Sequence, residues 1–216
     1  MNILAPSILS ADFANLGSDI SKTVTAGASH IHVDVMDGMF VPSISFGMPV
    51  LASVRACTDA FLDVHLMIEK PERYIEQFAS LGADGITIHA ESCEHVDEVL
   101  QKIRSLCKKS GLAISPDTPV ETVYPYLDLA GMILIMTVYP GFGGQKYIDA
   151  CNEKIRTLRD KLTREGRSID IEIDGGVNRE NITDILRQGA NVIVAGSAIF
   201  KGDIADNTNY FLEKLK

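Results

Sequence analysis

Three phrases of this chain repeat one design: "AGASHIHVD", "LGADGITIH" and "QGANVIVAG". Each places Gly-Ala and two further residues before a short β-type run. Glycine there suits the C-cap of a preceding helix, where a left-handed residue closes the last turn. The intervals from Gly27 to Gly82 and from Gly82 to Gly189 correspond to two and four units of roughly 27 residues, the size of a short βα unit. Eight such units fill the 216 residues.

The coarse pattern agrees with that period. Strand-like runs fall at "ILAPS", "HIHVDV", "FLDVHL", "GITIH", "GLAIS", "MILIMTV", "IDIEID" and "NVIVAG". Helix-like segments separate most of them. "PERYIEQFASLG" places Pro71 at a first helical position. "EHVDEVLQKIRSLCKKSG" and "NEKIRTLRDKLTREG" carry helical periodicity and stop at glycine. Strands alternating with helices imply a parallel sheet, and eight units imply a closed (β/α)8 barrel, a TIM barrel of the α/β class, formed by one domain over residues 1–216. On pattern alone the alternative is a doubly wound open sheet. No linker or low-complexity tract divides the chain.

Composition excludes several functions. Hydrophobic residues make up 46%, enough for a sizeable core, yet no run approaches the length needed to cross a bilayer. The start "MNILAPSILSADF" lacks the basic n-region of a secretory leader. Cys57, Cys93, Cys107 and Cys151 are scattered without metal-type spacing and read as free thiols of a reducing compartment, so the expected location is cytoplasmic. The net charge is −9 and no basic stripe occurs, so neither nucleic acid nor membrane is an expected partner. An anionic ligand would need a local site that overcomes the repulsive global field.

Within "HIHVDVMDG", period-2 alternation sends His30, His32 and Asp34 to one face and Ile31, Val33 and Val35 to the other. Barrel interiors are normally aliphatic. Here one alternating face carries His32 and Asp34, then Asp63 and His65, then Asp170, Glu172 and Asp174. The strand ends where barrel enzymes keep their chemistry hold Asp34, His65 and Asp174. A buried carboxylate needs compensation. With His32, these residues form a divalent-metal set of two imidazoles and two carboxylates, suited to zinc, manganese, iron or cobalt. The plain alternative for each histidine is a hydrogen-bonded core residue. Asp63 and Glu172, one layer lower, read as supports or members of a buried ion pair. His30 reads as structural and His95 as solvated. His89 stands at the right height but is the weaker ligand candidate.

Glycines form a second constellation. "PGFGGQ" follows the sixth strand-like run, "DGG" the seventh and "AGS" the eighth. Glycine lets backbone N–H groups approach an anion closely, and barrels of this kind often bind phosphate in the loops after strands seven and eight. Tight turns alone would explain one such loop; three on neighbouring strands favour phosphate. No lysine-bearing P-loop occurs.

"APSILSADF", "HVDVMDGMFVP", "DVHLMIEKPERYI", "PGFGGQKYI", "EIDGGVN" and "VAGSAIF" resemble the signatures of the ribulose-phosphate 3-epimerases, from about residue 3 to residue 200. The resemblance implies a metal-dependent barrel epimerase that acts on a ketose phosphate through a cis-enediolate. The first-choice reaction interconverts D-ribulose 5-phosphate and D-xylulose 5-phosphate; the alternative links D-allulose 6-phosphate and D-fructose 6-phosphate. A non-catalytic phosphosugar-binding protein is a further alternative. It also implies one divalent ion bound by His32, Asp34, His65 and Asp174, with Asp34 as base, Asp174 as acid and no organic cofactor. Ser7 and His65 match substrate-contacting positions. Gly141, Phe142, Gly143, Gly144, Gly175, Gly176, Gly196 and Ser197 match the substrate and phosphate loops. Met36, Met67 and Met136 match methionines near the site. A homo-oligomer is the expected assembly.

The chain departs from the family pattern at Met39, Ser43, Ser115 and Tyr139, where histidine and asparagines are usual. These departures fall in or near the rim loops. They bear on substrate identity rather than reaction type.

Overall fold

Every strand-like run forms a parallel strand in the computed structural model, which describes residues 2–216. The strands are β1 (Ile3–Pro6), β2 (His30–Met36), β3 (Phe61–Met67), β4 (Gly85–His89), β5 (Lys109–Ile114), β6 (Met132–Met136), β7 (Asp170–Asp174) and β8 (Val192–Ala195). They lie in the order β1-β8-β7-β6-β5-β4-β3-β2. The two ends of that order meet through a parallel bridge between Ser7 and His32. The fold is thus the (β/α)8 barrel, and the doubly wound open sheet is excluded.

The helices are α1 (Leu16–Thr25), α2 (Met48–Cys57), α3 (Ile75–Ser80), α4 (Val96–Ser105), α5 (Cys151–Arg164), α6 (Ile182–Gln188), α7 (Ser197–Phe200) and α8 (Ile204–Lys214). Between β5 and β6 the link is a 3-10 helix, Val120–Tyr126, with Pro125 inside it; proline has no N–H to donate to an α-helical ladder. Among the described residues, no helix is long and apolar enough to cross a membrane.

The apolar stripes face the sheet. Helix α4 buries Val96, Val99, Leu100 and Ile103, and α5 buries Cys151, Ile155, Leu158 and Leu162, the spacing of one helical face. They join a core that takes Ile31, Val33 and Val35 from β2 and Ile171 and Ile173 from β7. Each fully buried Leu or Ile there contributes about 1.5–3 kcal/mol. Gly27, Gly82 and Gly189 are all left-handed, as the repeat predicts.

One glycine has a different role. The glycine of "KKSG" reads in the sequence as a helix stop, yet α4 ends at Ser105 and Cys107 takes the left-handed conformation, with φ 58°. Gly111 lies inside β5 instead, where a Cβ would come within 2.0 Å of Thr87 Oγ1. The strand passes there because it carries no side chain.

Inside the barrel, aliphatic groups fill only part of the space. Ala5, Met132, Val192 and Val194 pack together, and so do Ala113, Leu134, Met136 and Val138. The polar remainder comes from β2, β3, β4 and β7. Strand register sets its layers: His32 pairs with Asp63 and Asp34 with His65, while Glu172 and Asp174 lie beside Leu134 and Met136.

Candidate active site

The C-terminal mouth gathers four donors predicted from sequence. His32 Nε2 lies 3.2 Å from Asp34 Oδ1 and 3.9 Å from Asp174 Oδ2. His65 Nδ1 lies 3.2 and 3.8 Å from the same two oxygens. Both rings and Asp34 are buried; the Asp174 side chain is 16% exposed and opens toward the cleft. Ser7, at the β1 seam, donates its hydroxyl to Asp34 Oδ2 at 2.6 Å and so leaves Oδ1 to face the two imidazoles.

This donor set fits a divalent ion. Its members lie within 4.8 Å of one another. Separations of 3.2 to 3.9 Å match the edges of a coordination shell with bonds of about 2.1 Å. His32 Nε2 is buried and has no hydrogen-bond partner, an orphan that a cation would satisfy. On the far side of the ring, Nδ1 meets Asp63 Oδ2 at 2.8 Å. A carboxylate cannot donate, so His32 gives its Nδ1 hydrogen to Asp63 and turns Nε2 to the site. The support role read for Asp63 is therefore realised. Glu172 Oε1 lies 3.6 Å from the same Nδ1, and both Glu172 oxygens lack partners.

Electrostatics separates the two aspartates. Burial opposes the charge of Asp34, but His32 and then His65 outweigh it and hold the carboxyl well below the usual range. Burial and the adjacent Asp34 charge push Asp174 up to about 7. His32 is buried too, yet Asp34 and Asp63 raise it well above an ordinary imidazole. Burial lowers His65 and takes His89 down to about 4. Burial and the Asp63 charge push Glu172 upward, while Asp63, despite burial, is held at about 2 by His32.

Above the donors lies an open cleft. Its walls include Ser7, Met36, Met67 and Met136, and the glycine segments 141–144, 175–176 and 196–197 reach it from three neighbouring strands. At Gly176, φ is +72° and a Cβ would stand 2.3 Å from the backbone nitrogen of Tyr147, so only glycine fits. Phe142 and Tyr139 border the cleft and are largely exposed.

Some candidates fall elsewhere. His89 sits behind His65, Nε2 to Nε2 at 2.9 Å, rather than among the donors. Glu91, which the sequence reading does not single out, meets His89 Nδ1 at 3.0 Å. The short spacing of "HAES" was its one signal. His30 stacks on Phe61 and His95 is exposed. Of the four rim departures, only Tyr139 lines the cleft; its hydroxyl donates to Asp117 at 3.1 Å. Met39 is 73% exposed and lies outside the cleft. Ser115 uses its backbone N–H to bond Glu91.

Fold and site together define a barrel protein with a candidate metal centre in its C-terminal mouth, open to glycine-rich loops. Family comparison narrows this. The model of the ribulose-phosphate 3 epimerase family matches residues 3–200. The ribulose-phosphate 3-epimerase of Bacillus subtilis is 47% identical over 198 residues, covering 91% of each chain. That of Synechocystis is 48% identical over 200 residues, 92% of this chain and 87% of its own. That of Escherichia coli is 46% identical over 199 residues, 92% and 88% respectively. The chain belongs to the ribulose-phosphate 3-epimerase family and is an enzyme of the isomerase class. Among solved structures, a 3-hexulose-6-phosphate synthase superposes with a TM-score of 0.71 at 15% identity, covering 100% of both chains. The thiamine phosphate pyrophosphorylase of Pyrococcus furiosus gives 0.68 at 15%, covering 99% of this chain and 95% of its own. These two show the barrel fold alone.

Proposed function

We propose that this protein is a cytoplasmic, divalent-metal-dependent 3-epimerase that interconverts D-ribulose 5-phosphate and D-xylulose 5-phosphate, with Asp34 and Asp174 as its proton-transfer groups. The observation that carries this reading is the contrast between those two carboxyls. They stand on β2 and β7, with β8 and β1 between them, and their surroundings drive one down and the other up to about 7. Such divergence is how two like groups take up base and acid roles.

Epimerisation beside a ketone removes the C3 proton from one face and returns a proton on the other. Asp34, ionised and fixed by Ser7, accepts the first proton. Asp174 delivers the second, and the roles swap in the reverse direction. His32, Asp34, His65 and Asp174 would hold a divalent ion, which would supply Lewis-acid stabilisation for the charge developing beside C3. Met36, Met67 and Met136 bring soft apolar surface to the planar enediolate and keep water from it. Backbone N–H groups of the three glycine segments take the phosphate, whose binding energy, remote from C3, fixes the orientation. Self-association into a homo-oligomer belongs to the same reading.

The hexulose alternative places one more hydroxylated carbon between C3 and the phosphate. The names of the similar proteins point to the pentulose. Comparing kcat/KM for D-ribulose 5-phosphate and D-allulose 6-phosphate under one metal condition tests the choice. The pentulose is expected to win. A clear hexulose preference overturns the substrate assignment, and turnover of unphosphorylated ketoses alone overturns the phosphate loops.

A further inference from the structure

A line of side chains leads away from the cleft behind His65. His65 Nε2 lies 2.9 Å from His89 Nε2, and His89 Nδ1 lies 3.0 Å from Glu91 Oε2. The other Glu91 oxygen accepts the Ser115 N–H at 2.7 Å and the Thr118 hydroxyl. That loop is itself pinned, because Lys154 Nζ donates to the carbonyls of Ser115, Pro116 and Thr118. Both imidazoles are fully buried and stack at 5.0 Å with 25° between planes.

The direction of the hydrogens follows from chemistry. Two ring nitrogens 2.9 Å apart need one proton between them. A carboxylate only accepts, so His89 carries its hydrogen on Nδ1, toward Glu91 Oε2. Burial disfavours a doubly protonated ring, so His89 Nε2 keeps its lone pair. His65 must then donate from Nε2, which strips its Nδ1. That bare Nδ1 is the atom 3.2 Å from Asp34 Oδ1 and 3.8 Å from Asp174 Oδ2, where a lone pair is favourable only beside a bound cation; without one, Asp34 competes with Glu91 for the ring hydrogens. The reverse order would leave a bare nitrogen against the Glu91 carboxylate, or else an imidazolium in a sealed pocket.

We propose that Glu91 and His89 are positioning residues that lock the tautomer of His65, so that Nδ1 presents its lone pair to the four-donor site. Neither touches the substrate. They act through His65, and the proposal rests on the metal reading. Glu91→Gln gives a sharp test. An amide has one oxygen and one NH2, and the two loop donors claim the oxygen. The NH2 then faces His89 Nδ1, which must accept. His89 donates from Nε2, His65 accepts there, and His65 Nδ1 gains a hydrogen.

The experiment is long-range proton–nitrogen NMR of the histidines at pH 8, in the Zn2+-loaded native protein and in metal-free Glu91→Gln, with Co2+ affinity measured by chelator competition. In the loaded native protein His65 is expected to carry its proton on Nε2 and His89 on Nδ1. In metal-free Glu91→Gln the protons should sit on His65 Nδ1 and His89 Nε2, and Co2+ affinity should fall about 10–100-fold while circular dichroism stays native. A His89 proton on Nε2 in the native protein overturns the lock, a result that stands even if the variant misfolds. So does a folded Glu91→Gln with unchanged affinity. A native protein that binds neither ion defeats the metal reading; the lock then stands only if His89 Nδ1 carries its hydrogen in the native protein and loses it in Glu91→Gln.

Discussion

Ion binding at this site should exchange two protons for one divalent cation. Without an ion, Asp34 is held ionised, His32 is driven toward the imidazolium by Asp34 and Asp63, and Asp174 keeps its proton up to about pH 7. Ligation needs a bare His32 Nε2 and an ionised Asp174. Both protons leave as the ion enters, so the net charge of the buried cluster is unchanged and a large desolvation penalty is avoided. The sign follows. Both groups have raised values in the free protein, so protons compete with the ion as pH falls. Below about pH 7 two protons are displaced, and apparent affinity should rise about 100-fold per pH unit; above it Asp174 is already ionised, and the rise should slow. From pH 6 to pH 7 the change is about 10²-fold, or ~2.7 kcal/mol. Calorimetric Co2+ titrations in two buffers of different ionisation enthalpy count the protons directly. The count should approach two below pH 7 and fall above it. Fewer than half a proton per ion below pH 7 would refute the reasoning, because it would leave His32 and Asp174 outside the ligand set.

The other expectations are simpler. Asp34→Asn and Asp174→Asn should each lower turnover by about 10²–10⁴-fold with native circular dichroism; a folded, metal-loaded variant with near-normal turnover would sink the two-carboxylate mechanism. Gly176→Ala must hold an alanine at φ +72° with its Cβ 2.3 Å from the Tyr147 nitrogen, a left-handed placement that alone costs about 1–2 kcal/mol. KM for the sugar phosphate should rise roughly tenfold with a smaller change in kcat, since remote binding is what is lost; an unchanged KM removes that loop from the phosphate site. Chelation should abolish activity and re-added ion restore it, whereas full turnover by metal-free protein excludes the Lewis-acid role.

The strands were legible because their outward residues are mostly β-branched or leucine in short alternating runs. Where the reading slipped, polarity hid the element. Strand β5 begins at Lys109, two residues before the apolar "GLAI" signal. Lys109 is spent on an ion pair with Asp170 at the barrel floor and Ser110 bonds the Leu129 carbonyl. The helix before it then had to close early, on Cys107, because Lys109 N already bonds the Asp84 carbonyl. A helix stop without glycine leaves no composition signal.

The site was legible for a related reason. Period 2 fixes a residue's face, and its position in the run fixes its height, so His32, Asp34, His65 and Asp174 could be assembled without coordinates. Lateral neighbours are a matter of register, which sequence pattern does not carry. Register sets Thr87 of β4 beside His65 of β3, and His89, two residues further along β4, brings its ring against that of His65. Nothing in "GITIHAES" distinguishes that posture from a ligand's. The difference lies in what stands behind each imidazole. His32 is backed by Asp63 within the barrel, His65 by His89 and then by Glu91 on a loop. Asp63 takes the Nδ1 hydrogen of His32 directly and frees Nε2, whereas the proposed lock reaches His65 through His89, whose own Nδ1 meets Glu91. Two histidines reached from different strands, each aimed by its own acid, make a stronger argument for a shared cation than the donor set does alone.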